Sequence, residues 1–151
     1  MIIFEFMKPK VKKSTTELFT ELKEDKNIKG YLKRNQDEFM VPLHEYLNNL
    51  LTEKNLLKRD VVKNSGLNRE YVYHLFAGTK EKPSRQKVLA IGVAMGLNVE
   101  EMQYLLKYAK LNILYPRNQW DSVIISAIEQ RLNVMETNDL LHQLGETLLL
   151  E

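Results

Sequence analysis

There is no cysteine in this chain of 151 residues. That excludes a disulfide framework and thiolate metal ligands, and it agrees with a reducing compartment, so a cytoplasmic location is expected. Glycine and proline are scarce, at six and four residues, and no long run of alternating β-branched residues occurs. Helices should therefore dominate, in an all-α fold. Long hydrophobic runs are also missing. The opening MIIFEFMK has no basic region before it and no small-residue cleavage site after it, and nothing later approaches the roughly 20 apolar residues of a membrane span. No membrane partner is expected. Enzyme signatures are absent too: no glycine-rich phosphate loop, no G-x-S-x-G and no H-E-x-x-H. The three histidines, His44, His74 and His142, fall in different segments without ligand spacing. Asp139 and His142 are three apart, a spacing met far more often on a solvated helix face than at a metal. The chain reads as a non-enzyme with no metal and no cofactor.

What is present is a 44% hydrophobic content, enough for a core, and an uneven charge. From Lys54 to Lys87 nine positive residues stand against Asp60, Glu70 and Glu81, a net +6, whereas from Val88 onward four positives face eight negatives, a net −4. Within the basic stretch lies LLKRDVVKNSGLNREYVYHLFAG, residues 56–78. Its first half puts Leu56, Val61 and Val62 on one helical face and its second puts Val72, Leu75 and Phe76 on another. Gly66 between them supplies the positive φ of a tight turn, and Asn68 supplies an N-cap. Two short helices so joined form a helix-turn-helix signature, which points to DNA.

Elsewhere the spacing predicts helices from Ser14 or Thr15 to about Asp25, Asn27–Arg34, Val41 to about Lys54, Ser84–Met95 and Asn98–Ala109, with further helices over 119–131 and 134–144. KPKVKK at 8–13 reads as a basic lead-in able to touch DNA backbone. The expected organisation is an N-terminal helical arm over 1–40, a five-helix domain over 41–110 and a C-terminal helical extension over 111–151. The apolar excess of that extension suggests a homodimer interface. Leu97-Asn98-Val99-Glu100-Glu101 and Leu132-Asn133-Val134-Met135-Glu136 are similar at an offset of 35 residues, which indicates a repeated helix pair, although leucine-rich capped helices also look alike by chance.

Residues 43–105 resemble the Cro and phage-repressor type of helix-turn-helix, the XRE family. The resemblance is carried by Leu56, Val61, Ser65-Gly66-Leu67, Val72, Leu75, Gly78, Pro83-Ser84, Leu89, Ala94-Met95-Gly96-Leu97 and Val99-Glu100-Glu101. The whole chain also resembles regulators of Gram-positive bacteria and their mobile elements that carry a similar tail. The family implies a phage-repressor-like five-helix domain, a recognition helix at about 68–77 in the major groove, and a dimer spacing two such helices one DNA turn apart. Three positions depart from the family: Leu57 where a Thr or Ser cap is common, Lys58 where a polar brace is common, and Val62 where a small residue is common.

On this reading Arg69 has the forked donor that matches guanine O6 and N7. Its alternative is a surface arginine bonding Glu70 or a phosphate. Glu70 either accepts from cytosine N4, or holds Arg69, or sharpens specificity by repelling phosphates. Tyr73 and His74, one turn on, are further base-contact candidates, His74 the better of the two. Lys58, Arg59, Asn68, Thr79, Lys80, Lys82 and Arg85 are candidate phosphate contacts, which position without reading sequence, though each can equally be an ordinary solvated group. Double-stranded DNA is thus the expected partner, in a transcriptional regulator. The alternative is a protein-interaction adaptor, antitoxin-like or an anti-regulator, that reuses the same fold to hold a protein partner. A ligand sensor in the 97–144 repeat is a third reading.

Overall fold

The structure, a computed structural model, describes residues 13–79 and 82–151, and every regular element among them is helical. The chain divides into two compact units, one ending at Val41 and one from Pro42 to Glu151.

The first unit holds α1 (Thr15–Glu24) and α2 (Ile28–Arg34), followed by a single 3-10 turn at Gln36–Glu38. Ser14 and Glu17 form a reciprocal capping box at the start of α1, and the Asn27 side chain caps α2. A polar cluster ties the helices together. Glu21 accepts from Lys13 and from Asn35, and Asp25 accepts from Arg34 at 2.9 Å. The hydrogen bond from Lys13, with that from Asn35, holds the Glu21 carboxyl below its ordinary range. Among the described residues here Tyr31 is the buried apolar side chain, while Phe19, Ile28 and Met40 are each more than half exposed. Of the basic lead-in only Lys13 lies within the described residues, and its ammonium is spent on Glu21 and Asn35.

The second unit contains α3 (Leu43–Glu53), α4 (Lys58–Ser65), α5 (Arg69–Ala77), α6 (Arg85–Ala94), α7 (Val99–Tyr108), α8 (Gln119–Glu129) and α9 (Val134–Gln143). The central element is α6. Val88, Leu89, Ala90, Ile91 and Gly92 are all buried along it, and α4, α7 and α9 pack around it. A helix covered on several sides needs no polar stripe, and RQKVLAIGVA has little of one. Leu47, Val61, Val72, Leu75, Phe76, Leu105, Leu106, Ile124 and Leu141 complete the same core. Each such side chain contributes about 1.5–3 kcal/mol of transfer free energy. The expected 111–151 extension lies in this unit, and Ile124, Ala127, Ile128 and Leu141 are turned into its core. The apolar excess that suggested a subunit interface is thereby used within the chain.

One helical corner recurs three times. The turns before α5, α7 and α9 place Gly66, Gly96 and Arg131 at φ of 73°, 69° and 61°. Each is followed by Leu-Asn, and Asn68, Asn98 and Asn133 accept from the backbone N–H three residues on. Between the last two corners the repetition extends to side-chain chemistry. After α7 and after α9 the chain runs on as a strap without helix, residues 112–115 and 147–150, bonded to side chains of the preceding helix pair. Arg85 Nε donates to the Asn112 carbonyl at 2.9 Å, and 35 positions later Trp120 Nε1 donates to that of Thr147 at 2.8 Å. The Gln103 carboxamide donates to Leu114 O and accepts from Leu114 N, at 2.8 and 2.7 Å. The Asn138 carboxamide accepts from Leu149 N and donates to Leu150 O, both at 2.7 Å. Leu114 and Leu149 are buried in both straps.

Candidate nucleic-acid interface

The α4–α5 corner carries most of the residues singled out from the sequence. Asn68 caps α5 through Tyr71 N–H at 3.1 Å, so its carbonyl oxygen serves the helix and leaves only its amide nitrogen for anything external. Opposite, Leu57 gives α4 no side-chain cap. The start of α4 therefore offers amides without a side-chain cap beside Lys58 and Arg59, with Asp60 in its first turn offsetting part of the positive helix end.

Along α5, Val72, Leu75 and Phe76 are buried while Arg69, Glu70 and His74 are exposed and Tyr73 is half-buried. The Tyr73 ring lies between two cations, with Arg69 Cζ 5.4 Å and Lys58 Nζ 5.7 Å from its centroid. Lys58 also stands 5.5 Å from the Phe76 centroid. No hydrogen bond or ion pair among the described residues engages the Arg69 guanidinium, and Glu70 does not hold it. The cation is therefore presented by stacking, which fixes its position and leaves its fork of donors open.

At the other end of α5, Gly78 takes φ of 82° and ends the helix. The Thr79 hydroxyl donates to His74 O at 3.2 Å and meets His74 Nδ1 at 2.9 Å. The contact engages Nδ1, so Nε2 is the ring nitrogen left without a hydrogen-bond partner among the described residues. Lys82 is exposed, with φ of 53°. Lys80 lies outside the described residues.

Arg85 differs from the rest. Its guanidinium donates to Asn112 O, Ile113 O and both carboxylate oxygens of Asp121, so four of its five N–H groups are taken up inside the protein. The expectation of a phosphate contact there gives way to a structural clamp. Burial pushes the Asp121 carboxyl up, but hydrogen bonds from Arg85 and from Tyr115 N–H outweigh it and hold the group below its ordinary value.

A cation the sequence reading passed over stands nearby. Lys87, in the first turn of α6, lies 4.3 Å over the Tyr71 ring. The cations at the two ends of this surface are thus half-buried Lys58 with exposed Arg59 and Arg69 on one flank and exposed Lys82 and Lys87 on the other. The signal for Lys87 was its place in the first turn after the Ser84 cap. Tyr108, by contrast, stacks on Tyr46 with centroids 3.9 Å apart, and burial pushes the Tyr46 phenol well up. No group of three or more metal-ligating side chains occurs among the described residues, and none of their helices is long and apolar enough to cross a membrane.

Fold and surface together define an all-helical protein with a basic helical corner. No protein-family model, no curated protein and no solved structure matches the chain.

Proposed function

We propose that the chain is a sequence-specific DNA-binding transcriptional regulator of the Cro and phage-repressor type, with α3–α7 as its five-helix domain and α5 as the recognition helix. The observation that carries the reading is the Lys58–Tyr73–Arg69 stack on α5 and the start of α4, with Arg69 exposed at its end. It sets an open guanidinium beside the uncapped α4 terminus, joining a base-reading group to a phosphate seat. In the major groove Arg69 reads guanine, with His74 Nε2 as a second edge contact and Glu70 discriminating by charge. Lys58, Arg59, Lys82 and Lys87 bind phosphates and supply most of the affinity. A homodimer on a palindromic operator follows from the geometry of this class. With the inner face of α8 and α9 buried, the exposed Tyr104, Ile113, Tyr115, Met135 and Leu144 are among the side chains available to a second subunit.

The test is retention of random genomic DNA fragments by the purified protein at two salt concentrations, followed by sequencing. Enrichment of a palindrome with half-sites about one helical turn apart is expected. Failure to retain DNA even at low salt overturns the reading in favour of a protein-binding adaptor.

A further inference from the structure

Tyr73 stands one helical turn after Arg69 on α5, and residues four apart on a helix lie side by side. The burial of Val72, Leu75 and Phe76 fixes the rotation of α5, and the Asn68 cap fixes its start. Tyr73 is thereby held half-buried, with the guanidinium carbon of exposed Arg69 over its ring, 5.4 Å from the centroid. Among the described residues no hydrogen bond or ion pair engages that guanidinium, so the ring is its anchor. Lys58, from the first turn of α4, stands 5.7 Å from the centroid of the same ring and 5.5 Å from that of Phe76. Its like charge disfavours Arg69 rotamers that fold back toward the start of α4.

An exposed arginine samples many rotamers, and the freedom it loses on meeting a base weakens the contact. A side chain confined beforehand keeps more of its interaction free energy. The confinement also leaves the fork of donors uncovered, because a ring face engages the cation without accepting its N–H groups one by one. We infer that Tyr73 is a positioning residue: it pre-orients Arg69 for reading a base edge and does not itself contact a base. The inference rests on the DNA reading above and deepens it, since it moves sequence discrimination onto Arg69 and takes Tyr73 out of the base-contacting set.

The test measures affinity of the full chain for the DNA selected by genomic retention and for random DNA. Tyr73→Leu should lower the preference for selected over random DNA about five- to tenfold, the size of a cation–ring contact. Tyr73→Phe, which keeps the ring, should stay within about twofold of the unaltered chain. In an Arg69→Ala background Tyr73→Leu should change the preference no further. If Tyr73→Leu loses its helical circular dichroism, Tyr73→Met takes its place. Nuclear relaxation of the Arg69 Nε–H in the free protein gives a second readout, ordered in the unaltered chain and in Tyr73→Phe, mobile in Tyr73→Leu. A loss in Tyr73→Phe equal to that in Tyr73→Leu assigns a direct contact to the hydroxyl and overturns the proposal. Additive losses with Arg69→Ala overturn it too, as does an Arg69 Nε–H equally mobile in all three chains. A chain that prefers no sequence overturns the DNA reading itself, an outcome told apart from these because the relaxation measurement needs no DNA.

Discussion

Arg85 and Asp121, 36 positions apart in sequence, meet through two hydrogen bonds of 2.8 and 2.9 Å. The pair joins the start of α6 to the start of α8, and the remaining Arg85 donors fasten the strap between α7 and α8. A cation at the edge of a basic surface is thereby withdrawn from that surface and made part of the interior.

Removing one member leaves the other with little solvent to replace it. Arg85→Met should destabilise the chain by about 3 kcal/mol in urea unfolding, the lower end for a broken buried pair because Arg85 keeps some exposure. The acid side follows from linkage. The Asp121 carboxyl titrates below its ordinary value of 3.8 when folded, so its contribution is complete above that pH and is lost as pH falls through the lower folded value. Asp121→Asn should flatten the acid-unfolding curve below pH 3.8 and leave its slope near neutrality unchanged.

The two flanking cations of Tyr73 should separate in a DNA-binding assay. Arg69→Ala is expected to cost about 1–3 kcal/mol on the selected sequence and little on random DNA, whereas Lys58→Ala should weaken both alike and lower the salt slope by about 1. A matched loss on both DNAs for Arg69→Ala removes its base-reading role.

Left-handed backbone is not equally costly everywhere. A Cβ at Gly78 would stand 2.8 Å from the His44 ring, while one at Gly96 meets nothing within 4 Å. Gly78→Ala combines conformational strain with a ring clash and should cost about 2 kcal/mol or more. Gly96→Asn should cost about 1 kcal/mol at most, since the matching corner already holds Arg131 at φ of 61°. Thermal unfolding of the two variants provides the comparison.

Asn138→Ala removes the three hydrogen bonds that hold Leu149 and Leu150 of the second strap to α9. A loss of about 1–3 kcal/mol is expected from the polar groups left unpaired. Hydrogen exchange should speed up at Leu149 and Leu150 while the amides of α6 keep their protection. The change should reach Gly66, because Leu150 Cδ1 is the atom nearest its Cβ position at 3.3 Å.

Helix limits were legible in the sequence because the forces that set them are local. The shared face of Val61 and Val62 and the turn at Gly66 placed a helix just before that glycine, and α4 spans Lys58–Ser65. Ser84, Asn98, Asn118 and Asn133 cap the helices whose starts they signalled, each by a side-chain bond three residues long. The offset of 35 was visible for the same reason, since it recurs in capping residues. The buried faces of α3 and α5 followed from their period.

Tertiary structure alone decided what the charged and amide side chains are for. Nothing near Arg85 in sequence distinguishes it from Lys87, yet one is bonded to residues 27 to 36 positions away and the other stays exposed over Tyr71. Gln103 and Asn138 carry no signal in the sequence that sets them apart from other helical amides, and they act as clamps because straps 11 and 12 residues on fold back over them. The apolar C-terminal helices read as an interface because composition counts hydrophobic surface without saying what covers it, and here α6 and α7 of the same unit do. Such pairings depend on which elements meet in space, and chain closure brings them together only after the local helices exist.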